Sequence, residues 1–375
     1  MKIRRRIGIV SLGEAGNLGD DLILLSVIDA VAQSPDVAEV VFLAHGQAMD
    51  WDDIGDRLGI RLTPRRALSA GGLSSFSKVQ TVFSDCDGIV FGGGGLLQDV
   101  HHPLRPFQWL RYLPPNIPVL AVGLGLGPLG DRWRRRFSGM PSPFSELFVR
   151  DEESRAIADG FGWSTQRSLD CVSSELVSRL FEPEDGGTSL GLALRDWPGL
   201  RPVDVAKRVD QIVVESRLST VDAFVLESRC GGGPDVEFTR AVLEHVAAPS
   251  TLRPYDPAKI PDFLGAMSRC TIAVSMKLHS SALWGYMGTQ IHPILYAPKT
   301  ASLFHVPWRG LEILNEPHHP VLTEAGVPTT TEVIQRWLHE ETVSGPVGRF
   351  SRSAVLSLQS ENTFHGVVRK IAARF

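Results

Sequence analysis

With 375 residues, 43% hydrophobic and 21% charged, the chain has the make-up of an ordinary globular protein and exceeds what one core comfortably organises, so two domains are expected. A formal net charge of -4 argues against a surface that wraps nucleic acid. Four scattered cysteines, Cys86, Cys171, Cys230 and Cys270, show neither a CxxC pair nor Cys/His ligand spacing, which argues against a disulfide framework or a zinc site and for reduced thiols in the cytoplasm.

The chain opens on Met1-Lys2-Ile3-Arg4-Arg5-Arg6, and the apolar run 7–12 behind it is too short for a signal h-region. No stretch approaches the length of a bilayer span, so association with the inner face of a membrane would be peripheral. Residues 7–12 instead read as a first strand, delivered into Gly13-Glu14-Ala15-Gly16-Asn17-Leu18-Gly19-Asp20-Asp21. The spacing G-x-x-G-x-x-G is not the dinucleotide fingerprint. Glycines permit close backbone approach and Asp20 or Asp21 can cap the helix at 20–32, so a capped turn and a ligand loop are equally good readings.

Further short β-rich runs follow at 40–44, 88–91, 119–123 and 147–149, with helical patterns at 107–113, 131–137 and 152–160 between them. Such alternation predicts a parallel sheet with helices on both faces. Four glycines, Gly92-Gly93-Gly94-Gly95, follow the run 88–91 and lead to Asp99. Each is costly to order, and at the carboxyl end of a parallel strand a ligand approaching the backbone is the expected reason. Arg150 ends the run 147–149 beside Asp151 and is either that neighbour's ion-pair partner or a bidentate clamp for carboxylate or phosphate.

The turn-rich stretch 181–187 reads as a linker, after which strand and helix patterns resume. The expected organisation is therefore a first Rossmann-like domain over 1–182, a second over 188–350, and an amphipathic tail at 351–375 that packs back on the first. Strands are expected at 189–194, 223–226, 271–275 and 291–295, and Arg195 and Lys299 sit at strand ends, like Arg150. Ser275-Met276-Lys277-Leu278-His279-Ser280 joins a strand to a helix. A helix start offers free N–H groups and partial positive charge, Lys277 adds a full charge, and His279 can carry a proton near neutral pH. Handling of an anionic substrate is the chemistry suggested, without a metal.

The ordered set of Gly16-Asn17-Leu18-Gly19-Asp20-Asp21, the glycine run with Asp99, Gly125-Leu126-Gly127-Pro128-Leu129, Val149-Arg150-Asp151-Glu152-Glu153-Ser154, and the Lys277–His279 element with Tyr296 and Lys299 resembles the polysaccharide pyruvyl transferase family across about residues 7–300. The resemblance implies an α/β fold of two Rossmann-like domains with parallel sheets facing a central cleft, as in GT-B glycosyltransferases. It implies transfer of a pyruvyl group from phosphoenolpyruvate, a co-substrate rather than a bound cofactor, to sugar hydroxyls of a lipid- or nucleotide-linked glycan. Family members hold the donor with the arginine matching Arg150 and with an Arg-x-His element; here that element reads Lys277-Leu278-His279, and lysine cannot grip a phosphate bidentately.

On this reading His279 is the general acid, Arg150, Lys277, Lys299 and Arg195 bind the donor, and Gly16, Asn17, Gly19, Asp21, Gly93, Gly94, Gly95 and Asp99 frame the cleft. The acceptor base is open between Asp21 and Asp99. A nucleotide-sugar-dependent glycosyltransferase and a non-catalytic anion- or glycan-binding homologue are the alternatives. Acceptor sugar, linkage and oligomeric state are not written in the sequence.

Overall fold

The computed structural model describes residues 5–46, 49–66, 79, 81–99, 105–172, 174–180, 187–227 and 233–339. The tail at 351–375, Cys230 and most of the expected linker lie outside them. Two sheets organise the chain. The first holds β1 (Arg5–Gly13), β2 (Val37–Ala44), β3 (Arg61–Arg66), β4 (Gly88–Leu97), β5 (Val119–Leu126), β6 (Glu146–Val149) and β7 (Gln166–Arg167), in the order β3-β2-β1-β4-β5-β6-β7. All its pairings are parallel. The second holds β8 (Ser189–Ala193), β9 (Thr220–Val225), β10 (Ser250–Pro254), β11 (Cys270–Ser275), β12 (Gln290–Leu295) and β13 (Glu312–Ile313), in the order β10-β9-β8-β11-β12-β13. Only its last pairing, β12 with β13, is antiparallel.

Central strands are apolar throughout because helices cover both faces. In β5 every residue from Val119 to Leu126 is buried. The first helix, α1 (Leu18–Ala32), is apolar on nearly all sides and sits inside the core. Edge strands β3 and β10 carry no such run, and their exposed, polar residues gave the sequence no strand signature. They form because a buried neighbour offers its free edge: β3 pairs along β2 from Glu39 to Ala44, and Arg65 is pinned by Asp85.

The glycine run is not a turn, as expected, but part of β4. Gly93 and Gly94 take left-handed φ of +44° and +71°, and the β4–β5 register shifts just beyond them. Space, rather than a ligand, explains the first two glycines. A Cβ on Gly93 would lie 2.5 Å from Ile23 Cγ2 and 2.7 Å from Cys171 Sγ, and one on Gly92 would meet Val27 at 3.0 Å. Gly123 of β5, at φ +58°, faces the same thiol, with Sγ 2.4 Å from its notional Cβ. Two adjacent strands thus leave a hollow that the segment around Cys171 fills.

The last described helix returns to the first sheet. The Thr330–His339 helix lies against α1, its Trp337 ring packs on Gly88, and Gln335 donates to the Ala30 carbonyl. The core is accordingly continuous, running from Phe42 and Ile28 through Trp337 and Leu176 to Phe263 and Trp284 of the second half.

Gly93→Ala should cost about 2–4 kcal/mol, since a left-handed φ and overpacking add. Urea unfolding of the variant at unchanged m-value measures the loss; a change below about 0.5 kcal/mol would show that the hollow yields.

Candidate functional site

Between the carboxyl ends of the two sheets lies a cavity of about 130 Å³. The first half contributes Arg150, Asp151, Arg167 and Asp170; the second contributes Leu278, His279, Tyr286, Lys299 and His305. Three expected residues, Arg150, His279 and Lys299, therefore share one wall space. The others are placed elsewhere.

Arg150 follows β6 and lays its guanidinium over Gly125, whose notional Cβ would sit 2.8 Å from Nη2. Nε donates to Asp151 Oδ2 at 3.2 Å and Nη1 to Asp170 Oδ2 at 3.2 Å. Burial opposes its charge, but the two carboxylates outweigh it and raise the guanidinium above its ordinary value. The ion-pair reading of Arg150 therefore holds, and the paired guanidinium also lines the cavity.

Lys277 leaves the cavity. Its Nζ is bound by Asp235, whose other oxygen accepts from the Asp196 N–H at 3.0 Å. The residue still marks the start of the Leu278–Tyr286 helix, which no side chain caps. Ser275, Ser280 and Ser281, all buried, staple that start through Oγ–Oγ contacts of 2.8 Å and bonds to the Lys277 carbonyl. The turn bearing His279 is rigid for that reason. Arg195 follows β8 outside the cavity, partly exposed.

His279 meets the first half directly. A Cβ on Gly19 would lie 1.9 Å from its Nδ1, so the imidazole occupies the place of a side chain at position 19. Its Nε2 is buried without a hydrogen-bond partner and stands 3.7 Å from Asp170 Oδ1. Burial alone would push the Asp170 carboxyl up, but His279 and Arg150 hold it well below the usual carboxylate range.

The loop before α1 seals the junction rather than lining the cavity. Gly16 takes φ +72°, and Asn17, not Asp20 or Asp21, caps the helix, accepting from the Gly19 N–H at 3.0 Å. Leu18 N–H donates across to the Leu226 carbonyl at 2.9 Å. Asp21, fully buried, accepts from the Tyr255 hydroxyl of the second half at 2.7 Å and from the Glu14 N–H at 2.5 Å. Burial pushes its pKa up to about 7 despite those bonds. Asp99 holds the Gly130 N–H with both oxygens. Neither candidate acceptor base faces the cavity, and Gly93, Gly94 and Gly95 stay within β4. Arg167, Asp170, Tyr286 and His305 are cavity residues the sequence did not single out. Among the described residues, no group of three His, Cys, Asp or Glu side chains is arranged to hold a metal ion, and no helix is long and apolar enough to cross a membrane.

Two α/β halves with a site between the carboxyl ends of their sheets define a GT-B-type fold. UDP-GlcNAc 2-epimerase from Methanocaldococcus jannaschii superposes with a TM-score of 0.54 at 13% identity, over 89% of this chain and 99% of that one. The S. aureus MnaA–UDP co-structure gives 0.53 at 11%, over 82% and 84%. At such identities the likeness is one of fold alone. No curated protein sequence gives a significant match. The profile of the family described as polysaccharide pyruvyl transferase matches residues 17–283, well over half of the chain, and the protein belongs to that family.

Gly19→Ala tests the contact across the junction. In a helix this change normally stabilises by up to about 1 kcal/mol. Here it should displace His279, and the crystal structure of the variant should show the imidazole moved; an unmoved ring at wild-type stability would discount the contact.

Asp21 gives a pH signature. Its folded pKa exceeds its unfolded one, so the folded state binds more protons between about pH 4 and 7, and stability should fall with rising pH there, by on the order of 1 kcal/mol per unit at most. Asp170 has the opposite sign, and its contribution fades only as pH drops below the ordinary carboxylate range. Denaturant unfolding from pH 4 to 8 should show the decline, and Asp21→Asn should flatten it.

Proposed function

We propose that the protein transfers the pyruvyl group of phosphoenolpyruvate to two hydroxyls of a sugar, in a cell-surface polysaccharide or its lipid- or nucleotide-linked precursor, forming a cyclic ketal. The observation that carries this reading is the cavity itself. At about 130 Å³ it suits a three-carbon phosphorylated acid. It falls below the roughly 300–1,000 Å³ typical of sites for larger ligands, which weighs against a nucleotide sugar. Its wall offers Lys299, whose Nζ lies 5.9 Å from the Tyr296 ring centroid, the imidazole of His279, and the uncapped start of the Leu278–Tyr286 helix. Positive charge and free N–H groups together favour a phosphate or carboxylate.

In this reaction protonated His279 delivers its proton to the methylene carbon of phosphoenolpyruvate. A sugar hydroxyl attacks the resulting cationic centre at C2 and loses its own proton. Phosphate leaves, a second hydroxyl adds to the same carbon and loses its proton, and the ketal closes. Lys299 and Arg150 stabilise the charge of phosphate and carboxylate as it shifts. Lys277, its charge taken up by Asp235, stays outside the cavity, so the donor's main cationic contact passes from the family's arginine position to Lys299. Turnover would take place in the cytoplasm, where phosphoenolpyruvate is made.

Incubating the protein with phosphoenolpyruvate and a panel of lipid- and nucleotide-linked sugars, while following phosphate release, tests the reading. Consumption of a nucleotide sugar with phosphoenolpyruvate untouched would replace it by the glycosyltransferase alternative; binding without turnover of either donor would leave a non-catalytic homologue. In the active system, His279→Gln should lower turnover by about 10²–10⁴-fold with little change in KM for phosphoenolpyruvate.

A further inference from the structure

We infer that Asp170 is a positioning residue for His279: its carboxylate, fixed in the first half, sets the orientation of an imidazole that belongs to the second. The inference rests on the reading of His279 as the proton donor to phosphoenolpyruvate.

The segment bearing Asp170 is held from three directions. Ser168 N–H donates to the Val149 carbonyl at 3.0 Å, its hydroxyl accepts from the Gly123 N–H at 3.1 Å, and Leu169 N–H donates to the Pro328 carbonyl at 3.0 Å. Cys171 then drops into the hollow left by Gly93 and Gly123, its thiol 3.4 Å from the Val122 carbonyl. Its pKa is pushed up to about 12 by burial, so it is a packing group and not a nucleophile. Between two such anchors the Asp170 side chain has little freedom.

The carboxylate divides its oxygens. Oδ2 takes Arg150 Nη1, while Oδ1 accepts weakly from the Val172 N–H at 3.4 Å and faces Nε2 of His279 at 3.7 Å. That separation is ion-pair range and beyond a hydrogen bond, so the carboxylate acts on the ring through its charge. Against Asp170 as the acceptor base stands its ionisation: a carboxylate held so firmly charged is a weak proton acceptor near neutral pH. An anionic residue beside an anionic donor would repel it unless cations offset it, and Arg150 and His279 do so from opposite sides. Gly19 bounds the ring on its other flank, so Asp170 and Gly19, both in the first half, define the imidazole's position together.

Asp170→Asn keeps the shape and an acceptor for Arg150 but removes the charge. The expected result is turnover lower by about 10- to 1,000-fold at a KM for phosphoenolpyruvate within about threefold of wild type. Added to His279→Gln, the same change should cost less than about threefold more, because it acts through a group no longer there. Asp170→Glu, which restores the charge one methylene further out, should recover part of the turnover. Full additivity of the two substitutions, or a loss that follows the folded fraction in thermal unfolding, would overturn the role and leave Asp170 as the structural partner of Arg150.

A readout independent of the reaction is the imidazole Cε1–H resonance of His279 in the full chain, identified by its absence in His279→Gln. It should shift in Asp170→Asn, and in Asp170→Glu should the asparagine variant not fold. An unmoved resonance overturns the inference even if pyruvyl transfer is confirmed; a shifted resonance in a protein that releases no phosphate from phosphoenolpyruvate upholds the contact while the reaction fails.

Discussion

The closeness of the 168–172 segment to the first sheet is the constraint on which the site depends. Arg150, Asp170 and the cavity floor are where they are because Cys171 fits between β4 and β5, and it fits only where Gly93 and Gly123 present no side chain. Ordering those glycines costs backbone entropy, offset by the burial of the Cys171 side chain against them. The loop is thereby anchored to the strands beneath it. The same hollow also sets the depth of α1, since Ile23 leans on Gly93 from the other side.

A second dependence runs across the cleft. The start of α1 is tied to the other half by Leu18 N–H to Leu226, by the Asn17–Glu227 bridge, by Asp21 to Tyr255 and by the imidazole resting on Gly19. These polar and close-packed contacts stand beside an apolar core that runs unbroken between the halves, and together they hold the junction in a defined geometry. Residues from both halves therefore reach the cavity at fixed distances, and the titration of Asp21 near neutrality lies in the middle of the seam.

Much of the fold was legible because central strands announce themselves. The runs at 7–12, 40–44, 119–123 and 271–275 are apolar and bounded by turn residues, and all became strands. Edge strands β3 and β10 were invisible, since a polar hexamer such as Arg-Leu-Thr-Pro-Arg-Arg pairs only because of what lies beside it. The glycine run was misread in kind: its spacing was plain, but whether a ligand or a cysteine seventy-odd residues later fills the space is a tertiary fact. Within the site, His279, Arg150 and Lys299 carried signals in their positions after strands. Lys277 did too, yet Asp235 captures it, and nothing local in Ser168-Leu169-Asp170-Cys171 marks its carboxylate.

The return of the Thr330–His339 helix to the first sheet changes what counts as a half. Trp337 covers Gly88, Arg5 reaches the Leu338 carbonyl, and Thr330 donates to the Leu169 carbonyl at 3.4 Å, so the last described helix completes the opposite domain from the one that precedes it. Exchange of the second half between relatives, by recombination or by design, therefore cannot be made with a single crossover near residue 188. A productive chimera needs two junctions, the second between β13 and Thr330, because a single crossover would pack the first sheet against the other parent's helix instead of its own.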